Sequence, residues 1–592
     1  MSLDIDNKEF NKAAEFVHQT DKIIYLTGKA GTGKTTFLKH IKKTSPKNIV
    51  ILAPTGVAAI NAGGVTINSF FQLPFGPFVP NDERLSSSKI FSTFRYRENK
   101  KKIILNLELL IIDEISMVRS DTLDVINQIL QVFRKNTKPF GGVQVVLIGD
   151  VFQLSPIANN VWPILSEFYK SIYFFDSKVI QENPLVYIEL KKIYRQNEQD
   201  FIDLLNRVRV NQLIESDIKN LNSKFDPEFE EQDYVTLATH NSSVNSINAN
   251  KLAEINEPPY TYEGIVTDAF PEREKPTDHL LELKVGAQVM FVKNDASTPR
   301  RYHNGKIGEI SSLKEDSIHV RFFDSSKSIS IERALWQSIR YTYNQKKKKI
   351  EEEILGTYEQ FPLRLAWAMT VHKSQGLTFE KVIADLGNAF TFGQVYVALS
   401  RCTSFKGLKL KSLITSDAII TDQRVLDFAS NKIPETLMTE QLNSGKADFY
   451  YKNARTEFDL KNIKSAFSNL KKAFKYRNDI ETDLFERYML IQAGKLISTN
   501  QKSSNGINSS ITSLEKKNKA QKEFEAHLTD QIFNQKMHES DLDNQIHKLK
   551  EELDQLKKEN LRVKSEFLEY KRTFQSSINE QSSSINSASE SS

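Results

Sequence analysis

The sequence predicts an α/β protein with two parallel-sheet domains, the second interrupted by a small β-rich insertion, followed by an α-helical C-terminal region ending in a coiled coil. Three observations carry this. Short apolar runs at Ile23–Thr27, Asn48–Ala53, Leu109–Ile112 and Val143–Ile148 alternate with helical patterns, as strands buried on both faces do. The same alternation restarts near Val186 and resumes after Tyr358. Between them, segments such as Leu283–Phe291, His303–Gly308 and Ser317–Phe322 are short, alternating and punctuated by turn residues.

Taken in order, Phe10, Ala13, Ala14, Phe16 and Val17 have helical spacing, which predicts a helix before the first strand. That strand runs into Gly28–Thr35, which reads G-x-x-x-x-G-K-T and opens a helix over Thr35–Lys42. This is the strand-loop-helix setting of a phosphate-binding loop. Gly28, Gly31 and Gly33 let the backbone close on phosphate oxygens. The helix start, with Thr36 in its first turn, offers free N–H groups and positive dipole. Lys34 would reach the β/γ-phosphates and Thr35 a magnesium ion, so the expected ligand is a nucleoside triphosphate with Mg²⁺. Asp113 and Glu114 end the Leu109–Ile112 strand, the first placed to hold Mg²⁺ and the second to polarise water. Asp150 and Gln153 follow the next strand, where they would sense the γ-phosphate. Arg195 and Arg401, in the second domain, would reach back across the cleft to stabilise the transferring phosphoryl group.

Bulk composition narrows the partners. With 80 Lys+Arg against 75 Asp+Glu the net charge is +5, so a nucleic-acid site must be a local groove. One cysteine, Cys402, excludes an intramolecular disulfide and a multi-cysteine zinc site, and it points to the reducing cytoplasm. No apolar run approaches the ~20 residues that span a bilayer, so no membrane partner is expected.

Together these residues resemble a superfamily-one helicase of the PIF-like branch related to RecD. The resemblance spans about Phe10 to Leu410 through Gly28–Thr35, Ala53–Ala58, Gly64–Phe70, Ile112–Ser116, Pro139–Gly142, Gly149–Leu154, Tyr194–Gln196, His372–Gly376 and Val397–Arg401. It implies two RecA-like motor domains that use ATP to move 5′ to 3′ on single-stranded DNA and open duplex junctions in genome maintenance. It also implies the γ-phosphate role of Gln153, the arginine-finger roles of Arg195 and Arg401, and a DNA groove lined by Thr55, Ser69, Phe70, His372 and Lys373. Where the family reads adenine with a glutamine, this chain has Asn11. An RNA-directed motor and a nucleotide-controlled scaffold stay open as alternatives.

The expected divisions are 1–185, the first motor domain; 186–255 and 358–442, the two parts of the second; 256–357, the insertion; and 443–499, a helical segment. A Ser/Asn-rich linker follows over 500–513, then a long helix over 514–575 and a disordered tail over 576–592. In the long helix Leu542, Ile546, Leu549, Leu553, Leu556, Asn560, Val563 and Phe567 alternate spacings of four and three. That seam predicts a parallel homodimer.

Overall fold

The computed structural model describes residues 7–500 except 75, 81, 87–88, 159–160, 197, 296, 298–300, 388–391, 432–433 and 480. The predicted coiled coil over 514–575, the tail and all but the first residue of the linker lie outside the described residues. Two compact units divide the chain, Met1–Asp479 and Ile480–Ser592; the described part of the second is residues 481–500, with the helix Asp483–Asn500.

Six strands form the first sheet: β1 (Ile24–Gly28), β2 (Ile49–Ala53), β3 (Val65–Thr66), β4 (Leu109–Ile112), β5 (Gln144–Ile148) and β6 (Val186–Leu190). Their order is β3-β2-β4-β5-β1-β6 and every pairing is parallel. Successive residues point to opposite faces, so each apolar strand feeds two cores. Ile24, Leu26, Ile111, Val146 and Ile148 pack with Phe10, Phe16 and Phe37 of α1 (Lys8–Gln19) and α2 (Lys34–Thr44). Tyr25, Leu110, Ile112, Val145 and Leu147 face the other way, onto Leu123, Ile126 and Leu130 of the helix Ser120–Arg134. Helices on both faces explain why the strands read as continuous apolar runs. Val186–Leu190, expected to open the second domain, is instead the edge strand of the first sheet, in register with β1 from Ile24↔Val186 to Gly28↔Leu190.

The second lobe has a four-stranded parallel sheet, in the order Ala368–Thr370, Val235–Ala238, Val382–Asp385, Leu408–Leu410. Between its first two strands in sequence lies the β-rich insertion. It continues past residue 357, because Lys349–Gln360 is one arm of a long hairpin with Ala334–Asn344, and Leu363–Leu365 pairs with Gln288–Phe291. This hairpin reaches the first lobe. The Ile51 N–H donates to the Tyr341 hydroxyl at 3.1 Å, and Asn48 accepts from the Ile350 N–H at 3.0 Å.

The C-terminal helical segment begins earlier than residue 443. Helix Glu435–Asp459 pairs with Ile463–Phe474 and lies against α1, with Lys446 ion-paired to Glu15 of α1 and Lys452 to Asp21 just beyond it.

Candidate nucleotide cleft and strand groove

The phosphate loop closes between β1 and α2. Gly31 (φ +81°) and Gly33 (φ +91°) hold left-handed conformations that side chains resist. A Cβ on Gly31 would also stand 2.4 Å from Cβ of Arg195, so the loop backbone and this arginine approach because glycine is there. The Lys34 ammonium folds back onto the loop, donating to the carbonyls of Gly28 (2.6 Å) and Lys29 (3.1 Å). Burial lowers its pKa, and Asp150 and Glu114 oppose that fall. Thr35 and Thr36 are exposed at the start of α2.

Asp113 continues β4 toward the loop. Its carboxyl accepts from the Glu114 N–H at 3.0 Å, and burial together with the Glu114 charge pushes its pKa up to about 7. A carboxylate at the end of a buried strand is an oxygen ligand of the kind hard divalent cations take. Thr35 and Asp113 are the residues that would hold Mg²⁺, a hard cation suited to oxygen ligands. Among the described residues no cluster of three or more His, Cys, Asp or Glu forms an all-protein metal cage. Glu114 sits at φ +51°, a costly conformation for a non-glycine residue, which turns its carboxyl into the cleft. Burial raises its pKa while Lys34 and Arg401 draw it down.

Arg195 and Arg401 both arrive from beyond the first sheet, and both are satisfied by the second lobe. Arg195 donates to the Ser400 carbonyl at 3.1 Å, and burial next to Arg401 lowers its pKa to about 9. Arg401 is 2% exposed and donates to the carbonyls of Val397 (2.9 Å) and Leu377 (3.4 Å). Gln153 is buried, and its carbonyl abuts Gly393, the N-cap of helix Gln394–Leu399. From this helix the Tyr396 hydroxyl accepts from the Ala30 N–H of the loop at 3.1 Å.

The sequence reading assigns Asn7 no role at this site and Tyr194 no contact of its own. Asn7 caps α1 and donates to the Tyr194 hydroxyl at 3.2 Å. The Tyr194 ring lies 3.8 Å from where a Cβ of Gly33 would be. Asn11 is exposed one turn further along α1, and Asn7 is the amide that bonds the Tyr194 hydroxyl. An asparagine ahead of a helical pattern was a cap signal in the sequence, with nothing to mark the second role.

The groove candidates divide. Thr55 follows β2 and caps the helix Gly56–Ala62, its hydroxyl accepting from the Ala58 N–H at 3.2 Å. Ser69 is exposed just after β3, and Lys373 is exposed just after the strand Ala368–Thr370. His372 beside it is half-buried, which lowers its pKa. These four therefore follow strand C-terminal ends, where open α/β sheets bind ligands. Phe70 corrects the expectation of an aromatic open to the strand. It is 2% exposed, packed edge-on to Phe71 and Tyr341, with the Lys100 ammonium 3.7 Å from its ring centre. A core aromatic and a base-stacking aromatic look alike in sequence.

A phosphate loop ending a parallel strand, with paired carboxylates following a neighbouring strand and two arginines bonded to a second parallel-sheet lobe, defines a two-lobed protein of the phosphate-loop class. A family model described as PIF1-like helicase matches residues 3–219. The chain is 34% identical over 417 residues to the human ATP-dependent DNA helicase PIF1, covering 68% of this chain and 60% of that one. It is 32% identical over 416 residues to the ATP-dependent DNA helicase Pif1 of Bdellovibrio bacteriovorus, covering 68% and 87%. The chain belongs to the PIF1-like helicase family. It spans only about 60% of the length of the human relative.

Two solved structures of Bacteroides Pif1 add a conformational distinction. The complex with ADP-AlF4 matches with a TM-score of 0.66 at 41% identity, covering 72% of this chain and 96% of that one. The form bound to ssDNA has the same identity and coverage with a TM-score of 0.52. The arrangement here is therefore nearer to that of the complex described without DNA.

Proposed function

We propose that this protein is an ATP-dependent DNA helicase that moves along single-stranded DNA, 5′ to 3′, and opens duplex at junctions. The observation that carries the reading is the meeting of both lobes at the phosphate loop: Lys34 rests on its carbonyls, Tyr396 accepts from its Ala30 N–H, and Arg195, bonded to the Ser400 carbonyl, lies against Gly31. The glycine cradle and α2 N-terminus would bind the triphosphate, Tyr194 and Asn7 would flank the base, and Thr35 with Asp113 would hold Mg²⁺. Bound there, the cation neutralises charge on the phosphate oxygens. Glu114 would orient and deprotonate the attacking water. Arg195 and Arg401 would leave their carbonyl partners to meet charge developing on the phosphoryl group, which links turnover to lobe position.

Strand binding would use Thr55, Ser69, His372 and Lys373 for sequence-independent phosphate contacts. Phe70 would join only after Tyr341 and Lys100 move away. The nearer likeness to the complex described without DNA supports a rearrangement of this kind. The DNA-dependence of ATP hydrolysis tests the reading: oligothymidylate should raise kcat in the wild type, and equal rates with and without it would reject the coupling.

The heptad seam over 542–574 supports a parallel homodimer, with Glu552, Glu559 and Glu566 facing Lys557, Lys564 and Lys571 of the partner helix. Light scattering should give a dimer for the full chain and a monomer after truncation at Ser498; a monomeric full chain at micromolar concentration would reject it. A cytosolic site of action goes with this reading and with the single cysteine.

A further inference from the structure

We infer that Arg209 is a positioning residue that ties the Gly149–Gln153 loop of the first lobe to the second lobe, so that the γ-phosphate environment forms only when the lobes are in register. The inference rests on the proposed nucleotide-hydrolysing role. Arg209 ends the helix Gln199–Arg209, which belongs to the second lobe: Phe201 packs on Phe405 at 5.8 Å, and Glu198 accepts from the Phe405 N–H at 3.0 Å. Its guanidinium nevertheless enters the first lobe. It donates to both carboxylate oxygens of Asp150, at 2.8 and 3.3 Å, stacks 4.1 Å from the ring centre of Phe152, and stands 3.9 Å from Glu189 at the end of β6.

Both members of this pair are buried, Asp150 completely. A buried ion pair is weak evidence for stability, because desolvating two charges offsets most of their attraction. A bidentate arginine–carboxylate contact does fix direction and distance. Here it fixes the turn that carries Gln153. Asp150 accepts from the Phe152 N–H through its side chain (3.2 Å) and from the Gln153 N–H through its carbonyl (2.9 Å). The Gln153 carbonyl then meets Gly393, where a Cβ would stand 2.4 Å away, at the head of the helix bearing Tyr396 and leading to Arg401. Arg209, Asp150, Gln153 and Gly393 thus form a path between lobes that bypasses the nucleotide.

The test uses the full chain with Arg209→Lys, Arg209→Met and the uncharged pair Asp150→Asn/Arg209→Gln, titrated with ADP and with ADP–aluminium fluoride, a mimic of the transferring phosphoryl group. Wild type should prefer the mimic. The Arg209 single variants should lose at least about tenfold of that preference while ADP affinity stays within about threefold, and kcat with oligothymidylate should fall by at least about tenfold with little change in KM. Arg209→Lys keeps the charge but not the fork, so failure to rescue separates geometry from charge. A partial recovery in the uncharged pair would show that the contact, not the charge, matters. Variants that keep the full preference overturn the inference, and so do variants that lose ADP and mimic binding equally with a lower melting temperature. A wild type that prefers the mimic yet never turns over ATP would sink the proposed function and leave this inference standing.

Discussion

The Tyr396 hydroxyl of the second lobe accepts a hydrogen bond from the Ala30 N–H of the phosphate loop at 3.1 Å. Loop N–H groups are the donors that cradle phosphate, so a second-lobe residue occupies a donor the nucleotide would use. Burial pushes the Tyr396 pKa up to about 12, which keeps the phenol neutral. Tyr396→Phe removes the competing acceptor. With a net hydrogen bond worth about 0.5–1.5 kcal/mol, ADP should bind the DNA-free variant about two- to tenfold more tightly. Fluorescence titration checks this, and weaker binding would count against the competition.

Lys34→Ala should abolish ATP turnover, since it removes the ammonium that rests on the carbonyls of the phosphate loop. Arg401→Lys should bind ATP nearly as wild type does and lose about 10³-fold or more in kcat, the range for an arginine finger. Steady-state kinetics at saturating oligothymidylate separate the two variants. A large rise in KM for Arg401→Lys, with kcat kept, would assign Arg401 to ground-state binding.

Cys402 should resist alkylation in the folded protein. It is fully buried, its Sγ donates to the Ser404 carbonyl at 3.1 Å, and burial raises its pKa to about 11. The thiol is therefore protonated at pH 8, with a thiolate fraction of about 10⁻³. Iodoacetamide at pH 8 should label the chain only after denaturation. Rapid labelling of native protein would mean that the second lobe opens locally around this residue.

Chemistry confined to one short stretch was legible in the sequence. The loop Gly28–Thr35 and the Asp113–Glu114 pair announced themselves because apolar strands deliver them and their side chains have few other uses there. Non-local pairing was not legible. Val186–Leu190 reads as a buried strand in either lobe, and only its hydrogen bonds to β1, more than 150 residues away in sequence, assign it to the first. Phe70 failed for a related reason, because the Tyr341 ring that covers it belongs to a hairpin 271 residues further on. Asp150 and Arg209 lie 59 residues apart, and nothing at either position signals that they meet.

Strand displacement on tailed duplexes tests the central claim most directly. With ATP and Mg²⁺, the wild type should displace the strand of a 5′-tailed DNA duplex, leave a 3′-tailed duplex intact, and do neither when Lys34 is replaced by alanine. Displacement without ATP, displacement of the 3′-tailed substrate alone, or activity on tailed RNA with none on tailed DNA would contradict it.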